Sequence, residues 1–313
     1  MSVPDLRRAA QRIDPLAPNP PGRYADDVVV VVRESPAEDR GPGPEPIVRT
    51  EHFRLRRRGR RVEVGHWLRP GQLDNDLAGL LAEELFAPGW LSGPDIFERV
   101  FTGVVRSCVD GPLAAWTTFY ENTLARIREC WQDPAGDCDH SSIAGFAPVY
   151  RRTLDLVEAG TILDMGSCFG FLPLMLARRP GHTVIASDLS RGTMRLLGAV
   201  AESLGPRLGT LACDAARVPL PDASVDTVTV IHVLEHLDAR QGDAVLDEAL
   251  RLARRRVVVA VPYEDEATAA YGHVRCFDQD QLDRMGRRTG RPYTASSYHG
   301  GWLVLDPPAT AHT

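Results

Sequence analysis

The residues best equipped for chemistry sit in the second half of the chain. Thr161 to Met165, with Asp164 next to last, reads as a strand that runs straight into Gly166-Ser167-Cys168-Phe169-Gly170 and then into a helical stretch from Phe171 to Arg178. The two glycines let the backbone turn sharply and come close to a ligand. A loop that grips a pyrophosphate would follow G-x-G-x-x-G/A, but the third position here is Cys168 and the sixth is Phe171. Asp164, two residues before the first glycine, suits a cationic ligand better. The next apolar run ends at Asp188-Leu189, 22 residues after Gly166, close to the roughly 20 expected of an acidic residue that accepts from ribose hydroxyls. A third run ends in Cys213-Asp214-Ala215, where Asp214 can accept from an adenine amino group. One strand-terminal Asp is more often a helix N-cap than a ligand contact; three in this order and spacing are hard to obtain by chance.

The histidines come next. His232-Val-Leu-Glu235-His236 spells H-x-x-E-H, the inverted zinc-protease pattern in which two histidines on one helical face hold a metal and the glutamate activates water. His232 closes an apolar run that reads as a strand, so the i, i+4 facing geometry need not hold and zinc hydrolysis is disfavoured. His236 keeps two readings: a general base that takes the proton of an acceptor hydroxyl, or a structural imidazole at the sheet edge. His273 and Arg275 follow a fifth strand; either can orient a hydroxyl or an anion, or pin the loop, and His273 can replace His236 as base. Cys138-Asp139-His140 has metal-binding residue types without the spacing of a zinc site. No metal is expected.

These side chains need a frame that gathers strand ends. Strands are legible at Thr161–Met165, Thr183–Ser187, Thr210–Cys213, Asp226–His232, Arg256–Val261, Tyr293–Tyr298 and Trp302–Leu305, with helical patterns between most of them. That alternation predicts an α/β fold with a doubly wound, mostly parallel sheet covered on both faces, whose ligands bind beyond the carboxyl ends of the strands. Before it lies a mainly helical N-terminal extension. Its first fifty residues are rich in Pro and Gly and are expected to be mobile apart from a short strand at Val28 to Val32. Residues 50–67 read as a hairpin with an Arg-rich turn around Gly59. From Leu73 to Trp131 apolar residues recur at helical spacing, and Trp90, Trp116, Phe119 and Tyr120 read as core rather than sugar-stacking contacts. The polar stretch after Trp131 separates the extension, 1–141, from the ligand-binding domain, 142–313.

Composition narrows the partners. The chain has 313 residues, 43% of them hydrophobic, and a net charge of −6. It is long enough to bury a core, and the acidic balance argues against nucleic acid and anionic membranes despite the Arg-rich hairpin. No apolar run approaches the roughly 18 residues of a membrane span. No secretory signal is visible, so the expected address is cytoplasmic, with the six scattered cysteines as thiols rather than disulfides.

Taken together, LDMGSCFG, SDLS, CDAARVPLPDASVDTV leading to HVLEHL, and VAVPY with GHVRCFDQDQL resemble the class I S-adenosylmethionine-dependent methyltransferases, over about half the chain from Phe146 onward. The resemblance implies a Rossmann-like domain with S-adenosylmethionine as cofactor. It sets Asp164, Gly166 and Gly170, with Ser167, around the methionine and ribose, Asp188 and Leu189 at the ribose, and Asp214 and Ala215 near adenine. His232 would close the pocket, with His236 or His273 as catalytic base. The sequence departs from the family at Cys168, where glycine is usual, and at Val225, where an aromatic is common. GSCFGFLPL, the Arg-rich hairpin and the helical block resemble more narrowly the methyltransferases encoded with the mycofactocin pathway, which implies transfer to a sugar hydroxyl of an oligosaccharide. Another small-molecule acceptor, a non-catalytic cofactor-binding partner protein and a nicotinamide oxidoreductase are the alternatives. The large N-terminal half fits either a bulky, glycan-bearing acceptor or a homo-oligomer interface.

Overall fold

Contacts divide the chain within a central helix: Met1–Leu73 and Leu80–Thr118 form one unit, Asp74–Gly79 and Phe119–Thr313 the other. The computed structural model describes residues 13–35, 47–59, 61–132, 142–266 and 272–306.

In the first unit, β1 (Arg23–Ala25), β2 (Val29–Arg33), β3 (Val48–Arg49), β4 (Phe53–Arg58) and β5 (Arg61–His66) form a sheet in the order β1-β2-β5-β4-β3. β4 and β5 are the expected hairpin, with Arg58 opposite Arg61 and Gly59 at φ +62°. β2 is the expected strand, and it pairs with β5 in parallel. The extension therefore holds more sheet than its mainly helical reading allowed. After α1 (Leu77–Leu81), helix α2 (Pro94–Cys108) packs against β1 and β2, and α3 (Pro112–Gln132) runs from the first unit into the second.

Residues 13–27, expected to be mobile, are held in place. The Trp116 indole N–H donates to Pro15 O at 3.0 Å and the Asn19 amide donates to Arg106 O at 3.1 Å. The buried Arg106 guanidinium donates to the carbonyls of Asp14 and Ala17. A buried cation must find acceptors, and here it takes them from this segment. The Gly41–Pro44 run and Cys138-Asp139-His140 lie outside the described residues. Trp116, Phe119 and Tyr120 are core, whereas Trp90 is exposed. Cys130 is in a disulfide, which corrects the expectation of thiols throughout.

The second unit follows the predicted alternation closely. Helix α4 (Ser142–Leu156) leads to β6 (Gly160–Met165), α5 (Phe171–Ala177), β7 (His182–Asp188), α6 (Arg191–Leu204) and β8 (Leu208–Ala212). Then come β9 (Val225–Ile231), a 3-10 turn at Leu234–His236, α7 (Ala239–Leu252), β10 (Ala253–Val261), α8 (Gln279–Arg288), β11 (Tyr293–Ser297) and β12 (Gly301–Leu305). The strand order is β11-β12-β10-β9-β6-β7-β8. Strands β10 to β8 are parallel, and β12 runs antiparallel to both of its neighbours. Both faces are covered. Val228, Val230, Val257 and Val259 pack with Leu246 and Leu303 on one side, and Ile162, Val184, Val258 and Ala260 pack with Leu172 and Trp302 on the other. This is the doubly wound α/β architecture, with apolar strands buried on both faces as parallel sheets require. Among the described residues, no helix is long and apolar enough to cross a membrane.

Candidate functional site

From β6 the chain builds outward through β7 to β8, then returns to lay β9 against the other side of β6. Such a reversal leaves a crevice beyond the carboxyl ends of the strands. A cleft of about 400 Å³ lies there, walled by Gly166, Cys168, Asp188, Leu189, Asp214, Ala215, His232 and His236 among others.

Several features shape the loop after β6. Gly166 has φ +73°, and a Cβ there would sit 2.5 Å from Val233 Cγ2, so no side chain fits between the loop and the wall opposite. Gly170, at φ +81°, lies against Leu197 instead, where a Cβ would come within 2.4 Å. Ser167 is turned inward: its hydroxyl donates to Asp164 O at 3.0 Å and its N–H donates to Ser187 O at 2.8 Å. The Tyr120 hydroxyl donates to Phe169 O at 2.6 Å and anchors the loop from α3. Cys168 is exposed with φ +50°, a conformation that costs an L-residue about 1–2 kcal/mol.

Asp164 is buried below the loop, and its Oδ1 accepts from the Thr229 hydroxyl at 2.6 Å. Burial pushes its carboxyl up to about 6, against the pull of the Thr229 and Ser167 hydrogen bonds. Asp164, Ser167 and Gly170 thus brace the loop and do not line the cleft. Asp188 does line it. Its Oδ2 accepts from Cys168 N at 3.0 Å and its Oδ1 from Ser190 N at 2.9 Å, so the carboxylate clasps two loops. It is not a helix cap, because Ser190 caps α6 by accepting from Thr193 N. Leu189 beside it is 79% exposed, an apolar side chain offered to whatever enters. Asp214 accepts from Ala216 N at 2.8 Å and tightens its own turn.

The opposite wall follows β9. His232 has φ +55°, a left-handed conformation uncommon outside glycine, and its N–H donates to Ala260 O at 2.9 Å. Burial, with His273 and His236 nearby, holds its imidazole down at about 4. Its Nε2 has no hydrogen-bond partner. It follows directly after the last residue of β9, so the strand stops one position before the end read from the sequence, and Glu235 and His236 sit on the 3-10 turn rather than on a helix. His236 lies at the cleft edge with its basicity lowered by partial burial, which favours the neutral ring. His273 does not line the cleft but stacks edge-on against His236, with ring centroids 4.9 Å apart. Its Nδ1 lies 2.7 Å from Glu264 Oε2.

Two features of placement were not read from the sequence. Glu235 is fully buried, and burial pushes its carboxyl up to about 8. Ser187 and Cys213 also line the cleft, each one residue before a strand-end Asp. Among the lining residues there are two carboxylates, Asp188 and Asp214, and no Arg. A polyanionic ligand would meet repulsion there. A cation with hydroxyls, an amino group and an apolar face would find a partner for each: carboxylates, Leu189, and a glycine that lets the backbone close in.

Residues 162–256 match the family model described as a methyltransferase domain. Methyltransferase GfsG of Streptomyces halstedii is 30% identical over 149 residues, covering 44% of this chain and 53% of its own length. Nocamycin O-methyltransferase of Saccharothrix syringae is 36% identical over 103 residues, 30% of this chain and 36% of its own. Demethylmenaquinone methyltransferase of Thermus thermophilus is 34% identical over 84 residues, 26% of this chain and 38% of its own. The chain spans about a third to a half of the length of these curated relatives.

Proposed function

We propose that this chain, whose residues 162–256 carry a methyltransferase domain, is an S-adenosylmethionine-dependent O-methyltransferase. The observation that carries the reading is the cleft at the strand ends, with two carboxylates and no guanidinium on its walls. That charge pattern suits a sulfonium and an ammonium group and disfavours a pyrophosphate. The cofactor supplies a methyl group already activated on sulfur. What remains for the protein is position and proton handling.

Asp188 accepts from the two ribose hydroxyls with the lone pairs left over from its two backbone contacts. Leu189 covers one face of the adenosine, and Asp214 with Ala215 borders the adenine. Gly166 lets the backbone approach the methionine end, and Asp164 with Ser167 and Gly170 holds that loop in shape. His232 forms the wall between the cofactor and the acceptor. His236, held neutral, takes the acceptor's hydroxyl proton as the oxygen gains the methyl group, and His273 orients it.

The acceptor is a hydroxyl on a small molecule or a glycan, and the narrower form of the proposal is a sugar hydroxyl on a mycofactocin-type oligosaccharide. Support for oxygen comes from the likeness to Nocamycin O-methyltransferase. Residues before 142 shape the acceptor side or an oligomer interface.

Calorimetric titration with S-adenosylhomocysteine, with NADH as control, tests the cofactor, and labelled methyl transfer to a panel of sugar and phenolic hydroxyls tests the reaction. Micromolar binding of the homocysteine product, none of NADH, and label on oxygen are expected. Binding of neither ligand, or of NADH alone, would overturn the reading.

A further inference from the structure

We propose that Glu235, His236 and His273 form a site for one divalent transition-metal ion, zinc being the type, at the edge of the strand-end cleft. One carboxylate oxygen and one ring nitrogen from each histidine lie within 4.8 Å of one another. Two histidines and one carboxylate, with a fourth position open, make up a donor set that binds zinc at catalytic centres. Donor atoms around tetrahedral zinc stand about 3.3 Å apart. Side-chain shifts of about an ångström would close the three groups on an ion.

Two further observations point the same way. Glu235 is fully buried, and neither carboxylate oxygen has a hydrogen-bond partner. The nearest basic atom is His232 Nδ1 at 3.6 Å. Buried polar atoms are nearly always satisfied, and a carboxylate that is not, with an oxygen in a cluster of imidazole nitrogens, is the arrangement a cation would complete. The second observation concerns the shell behind the ligands. His273 Nδ1 contacts Glu264 Oε2 at 2.7 Å, and His236 Nδ1 contacts Gly272 O at 3.3 Å. Metal-bound histidines characteristically donate their other ring N–H to a carboxylate or a backbone carbonyl, which fixes the tautomer and puts the lone pair on Nε2. Both histidines have such a partner. Val274 N also donates to Glu235 O at 2.8 Å, which ties the His273 loop to the Glu235 turn.

The ligand set is not the one that H-x-x-E-H spells. His232 stands outside the three-residue cluster, His273 from a distant loop takes its place, and Glu235 is a ligand rather than a base. The inference does not depend on the transfer reaction, though it bears on it. Without an ion, His236 is the proton acceptor; with one, His236 is a ligand. An acceptor hydroxyl that takes the open position is then acidified by the cation and loses its proton to solvent.

The test uses the full chain, stripped with a chelator and titrated with Zn²⁺ against a chromophoric chelator, and separately with Co²⁺ followed by visible absorption. One equivalent per chain is expected. Glu235→Gln and His273→Ala should each weaken it at least tenfold, and Glu264→Gln, behind the ligands, by about 10–100-fold. Thermal unfolding shows whether each variant is folded, and Glu264→Gln keeps the question open to test if a ligand variant is not. Absence of stoichiometric binding overturns the proposal, as does one equivalent whose affinity is the same in all folded variants. No methyl donor is present, so failure here leaves the transfer reading intact, and failed transfer leaves this result intact.

Discussion

The first unit holds a cavity of about 730 Å³ and the second a cleft of about 400 Å³, so volume alone would favour the first as the place where chemistry happens. The charged side chains around the two differ in kind. In the larger cavity Arg99 donates to Asp26 at 2.7 Å and to Asp95 at 3.0 Å, and the Tyr24 hydroxyl donates to Asp26 at 2.9 Å. Arg106 is occupied by Asn19 Oδ1 and by backbone carbonyls. These groups satisfy one another. In and beside the smaller cleft, Asp188 holds only backbone N–H groups, His232 Nε2 and both oxygens of Glu235 have no partner, and His232 is in a strained backbone conformation. Unpaired polar groups and strain reduce stability and persist where they serve a ligand or a reaction. Satisfaction of the charged groups, rather than size, separates the two cavities.

Substitutions on the two sides should therefore fail in different ways. The largest effect is expected at His236→Ala, with turnover lowered about 10²- to 10⁴-fold and S-adenosylhomocysteine affinity changed little. Turnover that survives would remove His236 from the reaction. Arg99→Met should cost roughly 3 kcal/mol, because it leaves the Asp26 carboxylate behind in a largely buried pair. Urea unfolding reads that loss, and product affinity measured alongside should not move. A loss in affinity instead would mean that the first unit supports the cleft. Asp188→Ala should weaken product binding by about 3 kcal/mol, the lower end for two hydrogen bonds to a charged group. Asp188→Asn should recover part of it.

Titration sharpens the contrast. His66, in the first unit, is fully buried with its Nε2 on Ser107 Oγ at 2.9 Å and its Nδ1 without a partner. Burial drives its imidazole down to about 3 from 6.5. The unfolded chain binds this proton below pH 6.5 and the folded chain does not. The stability it contributes is whole above pH 6.5, and about 2 kcal/mol of it is lost by pH 5. Asp164 in the second unit has the opposite sign. Raised to about 6, it keeps its proton in the folded state while the unfolded carboxyl ionises from 3.8, so its contribution is whole below pH 3.8 and is lost as pH rises through 6. Melts of His66→Leu and Asp164→Asn between pH 4 and 7 should change slope in opposite directions. Slopes that shift together would mean that one of the two side chains is not buried as described.

The second unit was legible in the sequence because its strands are largely apolar, with Val257 to Val261 an unbroken run, and such segments keep their pattern whichever strand they pair with. Asp188 was legible through its distance from Gly166. The sheet of the first unit was not, since β1 and β3 are three and two residues long and show no period, and β2 pairs with β5 at an offset of 33 positions along the chain. Nor did the letters reveal which way a side chain turns. Ser167 and Asp164 sit among loop residues that face the cleft, yet both are turned inward. Glu235 precedes His236 in a motif that suggests a base, whereas its burial comes from the 3-10 turn and the loop tied to it. His273 joins this group only through the path of a distant loop.

The smallest effect is expected where the loop itself is strained. Cys168 adopts φ +50°, which suits glycine and costs an L-residue about 1–2 kcal/mol. Cys168→Gly removes that cost but adds about 0.5–1 kcal/mol of backbone entropy to the unfolded chain. The net should be a gain of up to about 1.5 kcal/mol, read as a small rise in melting temperature. Cys168→Val, with a branched Cβ in the same conformation, should lower it. If Cys168→Gly destabilises the protein instead, contacts of the thiol outweigh the backbone cost, and the cysteine at the mouth of the cleft is there for its side chain. The cleft would then hold one more residue set by function against local preference, whereas a gain would leave Cys168 as a tolerated substitute for glycine and His232 as the strained residue to explain.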